Sequence, residues 1–204
     1  MDFRNILAMI LSFLILVSAA GCGGISQPGG ENSDQGGTQE PTGEPATAAA
    51  LEEDQLFLWA ESAQASSEFS APEWSAERAT GEPDAPGCGD YQFAWASAAS
   101  DSIETLTLTY GEPVVPTGIR IHQSYHPDQV VKIEVFNPGT DQYVTVLEKR
   151  PEQVDRPCPY ILQVDVQGVD FKTDRVRITV DQSVLGLGWN EIDAVQLVGK
   201  PEDN

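Results

Sequence analysis

The chain has 204 residues, 40% of them apolar, enough for one domain with a core plus a tail. Its 32 acidic against 11 basic residues leave a formal charge of -21, which repels a nucleic-acid backbone and favours cationic partners, calcium included. Three cysteines at 22, 88 and 158 and two histidines, His122 and His126, form no CxxC pair and no His/Cys cluster of the kind that holds zinc.

Residues 1–21 carry Arg4, an apolar run from Ile6 to Val17, and then Ser18, Ala19, Ala20 and Gly21. An apolar core of about twelve residues falls short of the roughly twenty that cross a bilayer, so the segment predicts a cleaved export signal. Ala19-Ala20-Gly21-Cys22 resembles the lipobox of bacterial lipoproteins. That resemblance implies an acylated Cys22 at the mature N-terminus and a chain anchored in the bacterial cell membrane, facing the extracytoplasmic side. An ordinary secretory signal with an incidental cysteine is the alternative. Residues 22–55 are Gly, Ser, Gln, Pro, Thr, Ala and acidic residues, with too little apolar surface to offset chain entropy, and predict a disordered acidic linker. Random-coil scaling gives such a tether a reach of roughly 30 Å.

The folded domain is expected over 56–200, with 201–204 as a tail. Strands are predicted at Phe57–Ala65, Ile103–Tyr110, Gly118–Gln123, Val130–Phe136, Tyr143–Glu148, Ile161–Val166, Arg175–Val180 and Ile192–Val198. Ile119 and Ile121 flank Arg120, and Val176, Ile178 and Val180 flank Arg177 and Thr179, so each strand offers one face to a core. Pro72–Ala79 predicts the one short helix, with Ser70 as its cap. Short strands separated by Gly, Pro, Asn and Asp predict an all-β fold, an antiparallel sandwich of jelly-roll type. With Cys22 acylated, Cys88 and Cys158 are left to pair in an oxidising compartment, the alternative being two free thiols. A loop of about 70 residues closed by that bridge is worth about 4 kcal/mol on the chain-entropy account.

Ala65-Ser66-Ser67-Glu68, Trp74, Ala79-Thr80-Gly81-Glu82-Pro83-Asp84 and Ala94-Trp95-Ala96-Ser97 resemble the opening of galactose-binding-like sandwiches, the discoidin and coagulation-factor type C relatives. Val115-Pro116-Thr117, Ser124-Tyr125-His126-Pro127 and Glu191-Ile192-Asp193-Ala194-Val195 are similar to the sandwich of an F-box/leucine-rich-repeat family and to the scarf-like module of pappalysins. The resemblance spans about Leu58 to Gly199 and implies a galactose-binding-like β-sandwich. It also implies a calcium set of Gly81 and Asp84 in the early loop and Glu191 on the last strand. The alternative is that Asp84 bonds its own turn and Glu191 braces loop amides or an arginine.

Loops at a sandwich rim are where aromatic rings can stack on sugar faces, which makes Tyr91, Tyr125, His126 and Trp189 candidate ligand-binding residues. Tyr91, Phe93 and Trp95 alternate and would share a face if extended; Trp95 and Trp189 also read as core rings. No G-x-S-x-G or comparable motif supplies a nucleophile for His122 or His126, so no catalytic residues are assigned. The sequence therefore predicts a membrane-tethered, non-catalytic module binding a glycan or another envelope polymer. A structural or protein-docking lipoprotein without a small ligand is the alternative, with a hydrolase third.

Overall fold

The computed structural model describes residues 55–201. The export signal, Cys22 and most of the expected linker lie outside the described residues.

Eight strands form the fold: β1 (Leu56–Trp59), β2 (Ser62–Ala65), β3 (Ile103–Tyr125), β4 (Val130–Asn137), β5 (Gln142–Glu148), β6 (Tyr160–Asp165), β7 (Thr173–Asp181) and β8 (Glu191–Lys200). Every strand pair is antiparallel. The 23-residue β3 belongs to both sheets of the sandwich. Its first half lies between β2 and β7, and that sheet continues through β4 to β5. Its second half lies between β6 and β8, with β1 at the far edge of β8.

The sequence predicts two strands where β3 runs unbroken. Gly111-Glu112-Pro113 reads as a turn, yet it is a bend in which the register against β7 jumps from Thr109↔Arg175 to Val114↔Thr173. The chain changes sheets there without leaving the ladder. The bend sits tightly on β8: a Cβ at Gly199 would overlap Val114 and come within 2.8 Å of the Val115 carbonyl oxygen, so glycine permits the crossing. Conversely, the predicted strand Phe57–Ala65 divides in two. Leu56–Trp59 pairs with β8 and Ser62–Ala65 with β3, the switch falling at buried Ala60.

The helix expected over Pro72–Ala79 is reduced to a 3-10 turn at Ala76–Ala79. Trp74 occupies the left-handed region at φ 54, which no right-handed helix accommodates. Ser70 does not cap; its hydroxyl donates to the Glu73 carbonyl at 2.8 Å. Tyr91, Phe93 and Trp95 share no strand face either, because the Ala94 N–H donates back to the Tyr91 carbonyl in a turn.

Between the sheets lies a core whose largest wholly buried members are Trp95, Leu106, Leu108, Ile119, Ile121, Ile133, Ile178, Ile192 and Leu197. These come from the apolar members of the alternating pattern, as strand geometry demands. On the outer face of β4, β5 and β7, Glu134 accepts from Lys132 at 2.7 Å and Arg177 at 2.8 Å, while Arg177 and Arg175 lie over Tyr143 and Phe136. The Cys88–Cys158 disulfide is formed, with Cα atoms 6.0 Å apart, and joins the early loop to the segment leading into β6.

Candidate functional site

The end of the sandwich where β3 finishes and β8 begins gathers polar and aromatic groups from four segments. Its organising feature is an irregularity in β8. His122 pairs with Ala194 and Gln123 with Ile192, which leaves Asp193 as an extra residue in the ladder. Such a bulge re-aims side chains. Asp193 accepts from the Asp84 and Ala85 N–H groups at 3.2 and 3.1 Å. Glu191 accepts from the Tyr91 N–H at 3.0 Å and the Ser124 hydroxyl at 2.9 Å. Two carboxylates thus fasten the 84–91 loop to the last strand, one near each end of the loop. The Gly89 N–H adds a bond to the Ser124 carbonyl at 2.7 Å.

Of the expected calcium set, Glu191 meets Tyr91, Ser124 and Asp90, while Asp84 meets Asp193 through its backbone. Gly81, at φ 74, donates its N–H to the Ala60 carbonyl. Calcium needs six to eight oxygen ligands, whereas the bonds made by Glu191 and Asp193 run to N–H and O–H donors. Among the described residues, no group of three or more His, Cys, Asp or Glu side chains assembles as ion ligands. One oxygen of each carboxylate, Glu191 Oε2 and Asp193 Oδ1, thus braces the loop against β8.

A cleft of about 670 Å³ opens beside this brace. Tyr125 and His126 line it as a stacked pair, ring centroids 3.8 Å apart and planes 25° apart. Opposite in charge character are Asp128 and Arg156, also in its wall: the guanidinium donates from Nε at 3.1 Å and from Nη2 at 2.7 Å to Asp128 Oδ1. The Val154 N–H takes the other Asp128 oxygen at 3.0 Å. Tyr160 and the disulfide residue Cys88 also line it. His126 holds the left-handed conformation at φ 38, beside Gly188, whose φ of 95 is glycine's province. Burial keeps the His126 imidazole below its ordinary pKa against an opposing backbone contact from Trp189.

Beneath the cleft is a buried amide network. Asn190 donates through its side chain to Gln123 at 2.9 Å and to the His126 carbonyl at 2.8 Å, while Gln129 donates to the Gly188 carbonyl at 2.9 Å. Four buried atoms there, Gln123 Nε2, His126 Nδ1, Gln129 Oε1 and Asn190 Oδ1, have no partner within the described chain.

The predicted ligand residues therefore separate. Tyr125 and His126 share the cleft. Tyr91 contributes its backbone to Glu191, and its ring lies against Gly89. Trp189 fixes its indole N–H on the Ser97 carbonyl at 3.0 Å and packs edge to face with Phe69, lining a smaller pocket of its own. Trp95 is wholly buried and donates to the Ser67 carbonyl. Sequence reasoning missed Asp128, Arg156, Tyr160, Asp90 and Phe69. Asp128 follows the named His126-Pro127, and Arg156 stands two residues before the bridged Cys158, which are the signals that place them at this end.

Burial pushes Glu191 up to about 7, against the lowering effect of the Tyr91 N–H and Ser124 hydroxyl, and Asp90 beside it adds to the rise. Between its ordinary value of 4.5 and about 7, folded Glu191 holds more proton than unfolded Glu191, so stability falls as pH rises through that window. The stability of the native chain relative to Glu191→Gln should drop by on the order of 1 to 3 kcal/mol between pH 4.5 and 8, read by urea unfolding. A difference that stays flat with pH contradicts the assignment.

Residues 48–204 match the family described as Pappalysin-1, SD scarf domain, C-terminal. Over 115 residues the chain is 26% identical to the F-box/LRR-repeat protein 4 of Bos taurus, an alignment covering 52% of this chain and 18% of that protein. The matched region thus spans less than a fifth of that relative's length. Among solved structures, the family 32 CBM from C. perfringens NanJ, determined in complex with galactose, is similar at 16% identity with a TM-score of 0.50, covering 70% of this chain and 99% of that one. An F5/8 type C domain from Bacteroides fragilis is similar at 15% identity with a TM-score of 0.50, covering 71% of this chain and 93% of that one. These two likenesses identify the galactose-binding-like sandwich fold. The family match runs over most of the length, and the chain belongs to the pappalysin SD scarf-domain family.

Proposed function

We propose that this protein is a membrane-tethered, extracytoplasmic, non-catalytic module that binds a glycan in the cleft between the Tyr125–His126 stack and the Asp128–Arg156 pair. The observation that carries the reading is the convergence of those two pairs on one cleft at the loop end of the sandwich. A pyranose presents an apolar face and a rim of hydroxyl groups. An aromatic ring takes the first, and a carboxylate beside a guanidinium takes neighbouring hydroxyls as acceptor and donor. Asp128 is buried and already accepts three hydrogen bonds, two from Arg156 and one from the Val154 N–H, so its geometry is set before any ligand arrives, which lowers the ordering cost of binding. The galactose bound by the similar C. perfringens module makes galactosides the first probes.

Cys22 acylation is supported by the lipobox-like Ala19-Ala20-Gly21-Cys22, and the 22–55 composition would serve as the tether. The disulfide suits an oxidising compartment outside the cytoplasm.

Three outcomes test this reading. On a glycan array the full chain should show saturable binding to at least one galactose-containing oligosaccharide, and Tyr125→Ala or Arg156→Ala should weaken it about tenfold, corresponding to about 1.4 kcal/mol. A silent array with a single envelope protein co-purifying would instead establish the docking alternative. In cells, Cys22→Ser should move the protein from the membrane to the soluble fraction; unchanged membrane retention would refute lipid anchoring through this cysteine. Because the β8 carboxylates serve loop amides in this account, the thermal midpoint should be the same in excess calcium and in chelator, and a calcium-dependent rise would restore Gly81, Asp84 and Glu191 as an ion site.

A further inference from the structure

Asp90 of the 84–91 loop contributes to a second, smaller pocket of about 150 Å³. Its walls are Phe69, Trp74 and Trp189, and Asp90 and Glu191 also line it. The Phe69 ring stands close to perpendicular to both indoles, at 72° to Trp74 and 82° to Trp189, with centroids 5.4 and 5.5 Å away. We propose that this three-ring pocket with its two carboxyl groups binds a methylated ammonium group carried by a small organic cation.

Size comes first. The pocket falls below the roughly 300–1,000 Å³ that drug-sized ligands occupy, so it accommodates a headgroup and not a whole sugar ring. Its chemistry then selects the headgroup. Aromatic faces attract a cation through the ring quadrupole, Trp most strongly, and the attraction grows where water is excluded. Calcium would need six to eight oxygens where the walls are rings. A methylated ammonium has little or no N–H to satisfy, so its methyl groups meet the rings while its charge faces the acids. No lysine or arginine lines the pocket to supply that charge internally. The net charge of the whole chain, -21, adds attraction for a cation at longer range.

The rings are held before a ligand arrives. Phe69 donates its N–H to the Ala96 carbonyl at 2.8 Å; Trp74 donates to the Gln92 carbonyl at 3.3 Å and accepts from the Ala96 N–H at 3.2 Å. Trp189 is pinned through its indole to Ser97. All three therefore hang on the 92–97 segment, which is itself bonded to Ile192 of β8 through Trp95. Trp74 keeps a backbone conformation rarely adopted by bulky residues, and such strain persists only where neighbouring structure enforces it. Phe69 is 49% exposed, leaving an apolar ring at the mouth for a ligand to cover. Glu191 is only 2% exposed and lies next to Asp90, so two acids share a wall that a cation would neutralise.

This site is separate from the Tyr125 cleft, and its test is independent of that reading. The full chain is titrated with tetramethylammonium chloride, with sodium chloride at equal ionic strength as control, and the indole N–H cross-peaks are followed by NMR. Trp74 and Trp189 should shift saturably while Trp95, buried and bonded to Ser67, stays in place. Phe69→Ala and Asp90→Asn should each weaken binding about tenfold, with an unmoved Trp95 peak reporting an intact core. Phosphocholine and a trimethyllysine peptide, titrated in parallel, identify the carrier by which saturates at lower concentration. Shifts that match the sodium chloride control, or an affinity unchanged in both variants, overturn the proposal.

Discussion

Glu191 holds this end of the molecule together. A single buried carboxylate at the first position of the last strand ties the end of β3, through the Ser124 hydroxyl, to the early loop, through the Tyr91 amide. Asp193 repeats the arrangement two residues on, with the Asp84 and Ala85 amides. Burying an acid is costly, and the raised Glu191 pKa expresses that cost. The fold accepts it because without these acceptors the amides of a long irregular loop would lie against the sandwich without partners.

The fastened loop contributes residues to two surfaces of different chemistry. One is the polar cleft of Tyr125, His126, Asp128 and Arg156, the other the aromatic pocket of Phe69, Trp74 and Trp189. Both depend on rigid neighbours. The cleft is braced by the Cys88–Cys158 bridge, which brings the Arg156 segment against the early loop, and the pocket by the bonds of the 92–97 segment to β8. Positive-φ residues occur in both, His126 and Trp74, with Gly188 beside His126. The β4–β5–β7 face, by contrast, pairs its charges through Glu134, Lys132 and Arg177.

The alternating runs made most of the strands legible, because period-two burial is a local property of the sequence: Ile119, Ile121, Val176 and Ile178 point inward as their spacing requires. What the sequence did not disclose was long-range. Gly111-Glu112-Pro113 carries turn residues, and only the pairing of β3 with two different sheets makes it a bend within one strand. Trp74 sits in a stretch of helix-like composition, and its left-handed backbone is imposed by bonds to Gln92 and Ala96. The cysteine pairing was readable by counting, while Asp128 and Arg156 meet across 28 positions and carry no local mark of their meeting. Glu191 was visible as an acid at a strand mouth, but its partners, the Tyr91 amide and the Ser124 hydroxyl, come from segments 100 and 67 positions away and leave no local mark.

The most direct test of the glycan-cleft account is where a sugar lands. Isotope-labelled full chain, titrated with a galactose-containing disaccharide and followed by backbone amide NMR, should show saturable shifts concentrated at residues 124–129 and 153–160. Amides of β4 and β5 on the distant sheet should stay in place. Shifts centred on the β4–β5–β7 face, or none for any sugar tried, would contradict the account and leave the cleft without a carbohydrate role.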